Sequence, residues 1–291
     1  MTDRTKTLAG LHVAVFLAGG TGLFGRFISL AGLPLVWYRV MVSVAVLTIV
    51  LACLNRLHRV PWSSILRIAA CGALLALHWV AFYASIKQSN VSVGVVCIAT
   101  SGFFTAFFDP LLNRKAFSWK DMLICFITIA GILLIFSLDV RYRLGIALGL
   151  TSAGIYSLFS IFNIRVARRT SEDSSTMLLY ELIGSVVFLT LCMPLFCMNS
   201  GVESIALRGS DAISLLLLGS VFTIIPFFLQ LHALSRLNAF TVNVTYNLEP
   251  LYSILFAALL FGETRELSLP FWVGLALVIL SVILQTVRSR A

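Results

Sequence analysis

Long apolar runs separated by short polar breaks recur along the whole chain. Since about 20 apolar residues cross the hydrocarbon core of a bilayer, these runs predict about ten transmembrane helices. Open sheets would leave backbone groups unpaired in lipid, and the runs are too evenly apolar for the alternating strands of a barrel. The predicted spans 1 to 10 are 9–25, 34–54, 67–86, 92–112, 121–138, 144–164, 176–197, 212–232, 240–262 and 269–287. The predicted fold is therefore an all-α membrane protein.

Composition supports a chain that lies almost entirely in the membrane. Of its 291 residues, 59% are hydrophobic and 11% are charged, and the mean hydropathy is +1.00. A soluble core cannot use that much apolar surface. The net charge of +9 does not indicate a nucleic-acid partner, because lysine and arginine fall in the breaks between apolar runs rather than on one face.

The distribution of basic residues predicts the topology. If the N-terminus is cytoplasmic, about two thirds of the lysine and arginine residues fall in segments on the cytoplasmic side. Acidic residues such as Glu203 and Asp211 then fall on the outer side. We expect a multi-pass protein of the plasma (cell inner) membrane with both termini in the cytoplasm.

The second half of the chain repeats the pattern of the first. The stretch ASIKQSNVSVGVV matches HALSRLNAFTVNV with Asn90 on Asn238, and WYRV around Arg39 falls where LYELI around Glu181 falls. The spacing between matches drifts between about 142 and 150 residues, as short loop insertions would produce.

The two repeats are predicted to be inverted. The first covers residues 9–138 and the second residues 144–287, each with five spans. Because five is odd, the second copy enters the membrane upside down relative to the first. Inverted repeats are the architecture of many secondary transporters.

Three stretches resemble the drug/metabolite transporter superfamily, and within it the EamA type. They are FYASIKQSNVSVGVV at spans 3 and 4, LEPLYSILFAALLFGE in span 9 and WVGLALVILSVIL in span 10. With the ten predicted spans, the resemblance covers both repeats. It implies a ten-helix carrier with a central cavity walled mainly by spans 1, 3, 4, 6, 8 and 9, which exports or takes up small metabolites.

Span 4 departs from the family pattern. The proline of the family is present in span 9 as Pro250, but the matching place in span 4 holds Gly102. Span 4 has instead Asp109 and Pro110 near its cytoplasmic end, which we interpret as a helix-end feature or a gate. The two helices are therefore expected to be unequal as gates.

Span 9 contains the densest polar patch. Glu249 and Pro250 lie about ten residues into it, near the middle of the bilayer. A charged Glu249 costs roughly 2.5–3.5 kcal/mol at that depth unless it faces protein or water, which makes it a candidate for proton coupling or cation binding. The alternative is a helix kink at Pro250, which frees the carbonyl near Tyr246, with the carboxyl hydrogen-bonded to neighbours.

Other polar and aromatic residues in the spans are candidates to line a solute site. Each has a structural alternative, such as helix packing for Thr100 and Ser101 or an interhelical hydrogen bond for His78. An amide and aromatic lining suits a small amphiphilic or zwitterionic solute. The candidates are His78, Trp79, Tyr83, Thr100, Ser101, Tyr156, Asn163, Gln230, Asn243, Tyr246 and Asn247.

Two charged residues lie in corresponding spans of the two repeats. Arg39 is near the outer end of span 2 and Glu181 near the inner end of span 7, roughly 14 Å apart in depth, so they should not form a salt bridge. Each is a candidate to line a vestibule, and Arg39 has the alternative of extending to the outer headgroups. Gly145, Gly149 and Gly154 in span 6 predict a close-packing face.

The predicted function is secondary transport by alternating access about a site at the middle of the bilayer. The expected solute is an amino acid or a similar amphiphile, and the expected direction is export. No motif for hydrolysis, nucleotide binding or metal catalysis occurs, so we expect no enzyme, cofactor or metal. A membrane-embedded enzyme and a passive channel are the alternatives. The expected partners are the solute and membrane lipids, with a homodimer as an open possibility.

Overall fold

The computed structural model describes residues 3–114, 116–136, 142–170, 172–246, 248–261 and 269–288. These residues form α-helices joined by short connections, with a 3-10 helix at Val202–Ile205. The α-helices are α1 (Asp3–Phe27), α2 (Gly32–Cys53), α3 (Trp62–Gln88), α4 (Val91–Ile98), α5 (Ser101–Asn113), α6 (Trp119–Phe136), α7 (Arg143–Thr170), α8 (Ser174–Ser200), α9 (Gly209–Arg236), α10 (Ala239–Tyr246), α11 (Glu249–Phe261) and α12 (Leu269–Arg288).

The helices account for the ten predicted spans. Among the described residues, seven segments are long and apolar enough to cross a membrane, and α4 and α5 together make one of them, Val91–Asn113. Shorter apolar helices at Met122–Gly131, Glu249–Leu260 and Trp272–Ser281 lie in the three other predicted spans. The prediction of an all-α, multi-pass membrane protein is confirmed.

Spans 4 and 9 are each broken into two helices at matching positions. The first halves, α4 and α10, are both eight residues long, and the second halves, α5 and α11, are both 13 residues long. Asn90 and Asn238 cap the first halves, accepting hydrogen bonds from the backbone N–H of Val93 at 2.8 Å and of Thr241 at 2.7 Å. The aligned asparagines therefore start equivalent broken helices.

The breaks correct two expectations. Span 9 is not a continuous helix kinked at Pro250, because α10 ends at Tyr246 and α11 begins at Glu249. Pro250 lies in the first turn of α11, where its missing N–H removes no helical hydrogen bond. Span 4 is broken at the same place, although it has no proline there. Both spans are therefore interrupted in the same way, whether or not a proline is present.

Two glycines allow helices of different repeats to cross at backbone contact. A Cβ atom on Gly72 of α3 would lie 1.9 Å from the carbonyl oxygen of Glu181 in α8. A Cβ atom on Gly219 of α9 would lie 2.8 Å from the carbonyl oxygen of Arg39 in α2. The residues contacted are the aligned pair Arg39 and Glu181, so the two repeats form the same crossing.

A serine hydroxyl stabilises each crossing. Ser185 donates a hydrogen bond to the carbonyl of Gly72 at 2.7 Å. Ser43 donates one to the carbonyl of Gly219 at 2.5 Å. Such bonds to backbone carbonyls suit interfaces in which small residues bring helices close together.

The glycine face predicted on α7 forms only in part. Cβ atoms on Gly145 and Gly149 would lie 2.6 Å from the Cβ atoms of Ser89 and Cys97, so both glycines permit close packing. Gly154 has no such neighbour, since the nearest atom to its Cβ position is 3.8 Å away.

A contact between a histidine and a glutamate joins the connections that precede α3 and α8, one from each repeat. Nε2 of His58, which precedes α3, lies 2.8 Å from Oε2 of Glu172, which precedes α8. The hydrogen bond to Glu172 raises the pKa of His58 above its ordinary value of 6.5. The bond therefore contributes its full stabilisation below pH 6.5 and loses it as the pH rises through the raised pKa.

We expect Glu172→Gln to lower the pKa of His58 toward 6.5, because the main cause of its elevation is removed. A histidine NMR titration of the detergent-solubilised protein measures this. Because the side chain of His58 is 48% exposed, thermal stability should change little. Glu203→Gln, an exposed Glu→Gln change elsewhere, is the control. An unchanged His58 titration in the Glu172 variant would contradict the assignment.

Candidate functional site

A narrow cavity lies where the break in span 9 faces α1, α2, α3 and α9. Its volume open to the centres of water molecules is about 40 Å³, room for roughly three waters. The wall is largely aromatic and apolar, with charged and amide groups from several helices. The lining residues are Ala18, Thr21, Arg39, His78, Trp79, Phe82, Ile98, Tyr156, Phe222, Pro226, Phe227, Gln230, Tyr246 and Glu249.

Arg39 brings a positive charge into this wall. Its side chain is 1% exposed. Nε donates to Oγ1 of Thr223 at 2.7 Å, and Nη1 donates to the hydroxyl of Tyr83 at 3.2 Å. Cζ lies 4.1 Å from the ring centroid of Trp79, a cation–π contact. Protein groups thus hold the guanidinium from three sides.

This position corrects the expectation that Arg39 lies in a vestibule or extends to the outer headgroups. Counting residues along α2 placed it near the end of the span, but a long side chain can be directed inward when partners exist there. Thr223 and Tyr83 provide those partners.

Glu249 brings a negative charge to the same cavity. It is the first residue of α11 and is 6% exposed. Its place in the first helical turn puts the carboxyl at the positive end of the helix dipole. Within the described residues, no hydrogen bond or ion pair joins Glu249 to Arg39 or to another side chain. The carboxyl is therefore available to a group in the cavity.

A layer of aromatic and amide groups continues the wall. Nδ1 of His78 lies 3.1 Å from the carbonyl oxygen of Ser152, while the hydroxyl of Ser152 donates to the carbonyl of His78 at 2.8 Å. This arrangement assigns the proton to Nδ1 and leaves Nε2 as an acceptor. Nε2 of Gln230 donates to the hydroxyl of Tyr156 at 2.7 Å, and the rings of Tyr156 and Tyr246 are 6.1 Å apart.

Two polar atoms of this layer are buried without a partner in the described part of the chain. They are the hydroxyl of Tyr246 and Oε1 of Gln230. Buried polar groups are almost always hydrogen-bonded in folded proteins, so such exceptions need an explanation. Both residues line the cavity, where a bound polar molecule can supply the partner.

Comparison with known proteins identifies the family. The model of the EamA-like transporter family matches residues 6–137 and 143–287. The chain belongs to this family. It is therefore a multi-pass membrane protein of a transporter family, as the resemblance in its sequence predicted.

One relative and one solved structure are similar to this EamA-like chain. An uncharacterized transporter, YdfC of Bacillus subtilis (strain 168), is 26% identical over 206 residues, which are 67% of this chain and 64% of the relative. The chain thus spans less than two thirds of that relative's length. A solved structure described only as the crystal structure of a protein is 17% identical, with a TM-score of 0.72 and 96% of each chain covered. That similarity supports the fold alone.

Several predicted site residues lie away from the cavity wall. Thr100 donates its hydroxyl to the carbonyl of Cys97 at 2.6 Å, and the hydroxyl of Ser101 is buried without a partner among the described residues. Ile98 is the residue from this part of span 4 that lines the cavity. The hydroxyl of Tyr83 accepts a hydrogen bond from Arg39, while Tyr83 itself does not line the cavity. Asn247 lies outside the described residues, and the side chain of Asn243 is not described.

Asp109 and Pro110 lie near the end of α5, away from the cavity. Nδ2 of Asn113 donates to Oδ1 of Asp109. Nε of Arg165, in α7, donates to Oδ1 of Asn113 at 2.7 Å. This network ties the end of α5 to α7, as expected of a helix-end feature, while a gating role stays a prediction.

Glu181 does not line an open vestibule as expected. Its side chain is 0% exposed, and Oε1 accepts a hydrogen bond from Nδ2 of Asn163. The close crossing of α3 at Gly72 covers this part of α8 and excludes water. Oε2 has no partner among the described residues.

We expect Glu181→Gln to keep the thermal stability of the detergent-solubilised protein, because glutamine has nearly the same size and its carbonyl oxygen can still accept the hydrogen bond from Asn163. Glu181→Ala should cost roughly 2 kcal/mol or more, since it leaves Asn163 unpaired in a cavity. Thermal unfolding of both variants tests this. A large loss in the glutamine variant would show that the negative charge itself is needed.

Thr223, which orients Arg39, was not among the residues predicted for the site. It lies in the mostly apolar middle of α9 close to a second hydroxyl residue, Ser220, and such residues commonly bond only to their own helix. The residue is 184 positions from Arg39, so only the packing of α2 on α9 reveals its role. The arginine's need for buried partners was the one available signal.

Proposed function

We propose that this chain is a secondary transporter that exports a small organic metabolite, such as an amino acid or a similar amphiphile, by alternating access. The observation that carries the proposal is the cavity in which Arg39 and Glu249 face a common space beside the break in span 9. Opposite charges on an aromatic wall fit an amphiphile with polar ends and an apolar body. Broken helices near a solute site are typical of secondary transporters.

The size of the cavity supports alternating access. Organic ligands occupy pockets of roughly 300–1,000 Å³, whereas this cavity offers about 40 Å³. A solute can therefore enter only if helices move apart. The breaks between α4 and α5 and between α10 and α11 are places where helices can bend without losing regular hydrogen bonds.

Glu249 is the proposed coupling residue. It is a carboxyl that faces the cavity without a side-chain partner in the described part of the chain, and intramembrane carboxyls commonly mark ion or proton pathways. A proton and the cationic end of a solute would compete for it. Such competition exchanges an entering proton for a leaving solute, which is the basis for proposing export.

We also propose that the protein lies in the plasma membrane with both termini in the cytoplasm, since about two thirds of its basic residues then fall on the cytoplasmic side. Reporter fusions at the C-terminus and in the 3-10 segment Val202–Ile205 test the orientation. We expect the first reporter to be cytoplasmic and the second external. The reverse result would overturn this topology.

Counterflow in proteoliposomes tests the transport proposal. We expect vesicles preloaded with unlabelled amino acid to accumulate the labelled compound transiently, because a carrier exchanges solute across a site open to one side at a time. A channel would equilibrate the label without overshoot, and an enzyme would convert it to another compound. Either outcome, or no counterflow with any amphiphilic solute, would overturn the proposal.

A further inference from the structure

We propose that Arg39 binds a carboxylate of the transported solute, so that the site recognises solutes with a carboxylate and an ammonium group. This inference rests on the proposed transport function. It assigns a specific role to a residue that the sequence placed away from the site.

The guanidinium has free donors in the cavity wall. Arginine has five N–H donors in a planar fork, and two of them bond to Thr223 and Tyr83. Within the described residues no acceptor is bonded to the remaining three. Since Arg39 lines the cavity, these donors are available to a bound anion. A fork of parallel N–H groups matches the two oxygens of a carboxylate.

The surrounding residues fix the direction of the fork. Thr223 holds Nε and its own hydroxyl lies 2.5 Å from the carbonyl oxygen of Leu218, so the acceptor is itself anchored. Trp79 covers one face of the guanidinium. A preoriented donor loses little entropy when it binds a ligand.

The charge balance of the cavity favours a zwitterion over a simple anion. Arg39 and Glu249 together are neutral when both are ionised, yet no ion pair joins them in the described part of the chain. A solute with a carboxylate toward Arg39 and an ammonium toward Glu249 pairs both charges and adds none. A simple anion would leave a second negative charge beside Glu249, which is costly in a site of low polarity.

Matched compounds separate the contribution of each charged end. The probes are leucine, isopentylamine, which lacks the carboxylate, and 4-methylpentanoate, which lacks the ammonium, with the corresponding set built on phenylalanine. Binding to the full-length protein in detergent is measured by thermal shift, and transport by counterflow. The variants are Arg39→Gln and Arg39→Lys, with Arg59→Gln, a change at an exposed arginine, as the control.

We expect at least one amino acid to bind the unaltered protein and the Arg59 variant equally. Arg39→Gln should weaken amino-acid binding by roughly tenfold or more, the effect of losing a charge-assisted hydrogen bond. Binding of the matching amine should change much less, because that compound has nothing to place on Arg39. Arg39→Lys should recover part of the amino-acid affinity, since it restores the charge without the fork.

If Arg39→Gln does not fold, Thr223→Val tests the same idea, because it removes the acceptor that orients the fork and keeps the side-chain shape. It should weaken the amino acid selectively over the amine. Equal effects on both compounds, or unchanged amino-acid binding, would overturn the role of Arg39. Counterflow of the amines without that of the amino acids would overturn the inference and leave transport intact, whereas no counterflow of any compound would overturn both.

Discussion

Replacing Gly72 with alanine is expected to prevent most of the protein from folding. The new Cβ would lie 1.9 Å from the carbonyl oxygen of Glu181, 2.7 Å from its carbonyl carbon and 3.0 Å from its Cα. All three are backbone atoms, so no rotamer change relieves the clash and α3 must move away from α8. We expect a cost of roughly 3 kcal/mol or more, the upper end for overpacking.

A second close contact makes the interface between α3 and α8 especially sensitive to added side-chain atoms. Gly184 of α8 packs on α3 in turn, where its Cβ would lie 2.5 Å from the Cα of Ala69. Separation of the helices would also break the hydrogen bond from Ser185 to the carbonyl of Gly72. Several close contacts are thus lost together.

Fluorescence-detected size-exclusion chromatography and thermal unfolding in detergent measure the effect. Gly154→Ala is the matched control, because it places the same methyl group in α7 with its nearest neighbour at 3.8 Å. We expect the control to give near-normal yield and stability. Equal behaviour of the two variants would refute the account of the crossing.

Glu249→Gln is expected to uncouple transport from the proton gradient. Glutamine keeps the size of the side chain and its ability to hydrogen-bond, but it cannot bind and release a proton in this way. We expect gradient-driven transport to fall by roughly tenfold, about 1.4 kcal/mol in the interaction that couples proton and solute. Exchange of solute between preloaded vesicles should continue at solute concentrations high enough to offset the lost ammonium partner, with its dependence on pH reduced.

The measurement is transport in proteoliposomes with and without an imposed pH gradient, over a range of pH. Glu203→Gln is the control, since it makes the same chemical change at an exposed position in the 3-10 helix. A Glu249 variant that folds and transports with an unaltered pH dependence would remove Glu249 from the coupling role.

The alignment of the repeats predicted more of the structure than the individual residues did. Asn90 and Asn238 were aligned by sequence, and both cap the first half of a broken helix. The breaks themselves were not predicted, because spans 4 and 9 are each long and apolar enough to be read as one helix despite the polar residues within them. Proline was a misleading signal for the break, since span 4 has none there.

The residues of the site were only partly predictable from the sequence. Glu249, Tyr246, Tyr156, Gln230 and His78 all line the cavity, and each stood out as a polar group in an apolar span. Thr100 and Ser101 stood out equally and lie elsewhere, since position along a helix gives depth but not direction. Arg39 was misplaced because its depth was estimated from the helix axis.

The sequence by itself determined the membrane-spanning helices and their repetition, because lipid offers no hydrogen bonds and forces each span to pair its backbone groups within itself. That requirement is local and is readable from any apolar run. The tertiary structure alone decided which polar groups share a cavity. Arg39 meets Thr223 because glycine permits α2 and α9 to touch at Gly219, a contact between residues far apart in the chain.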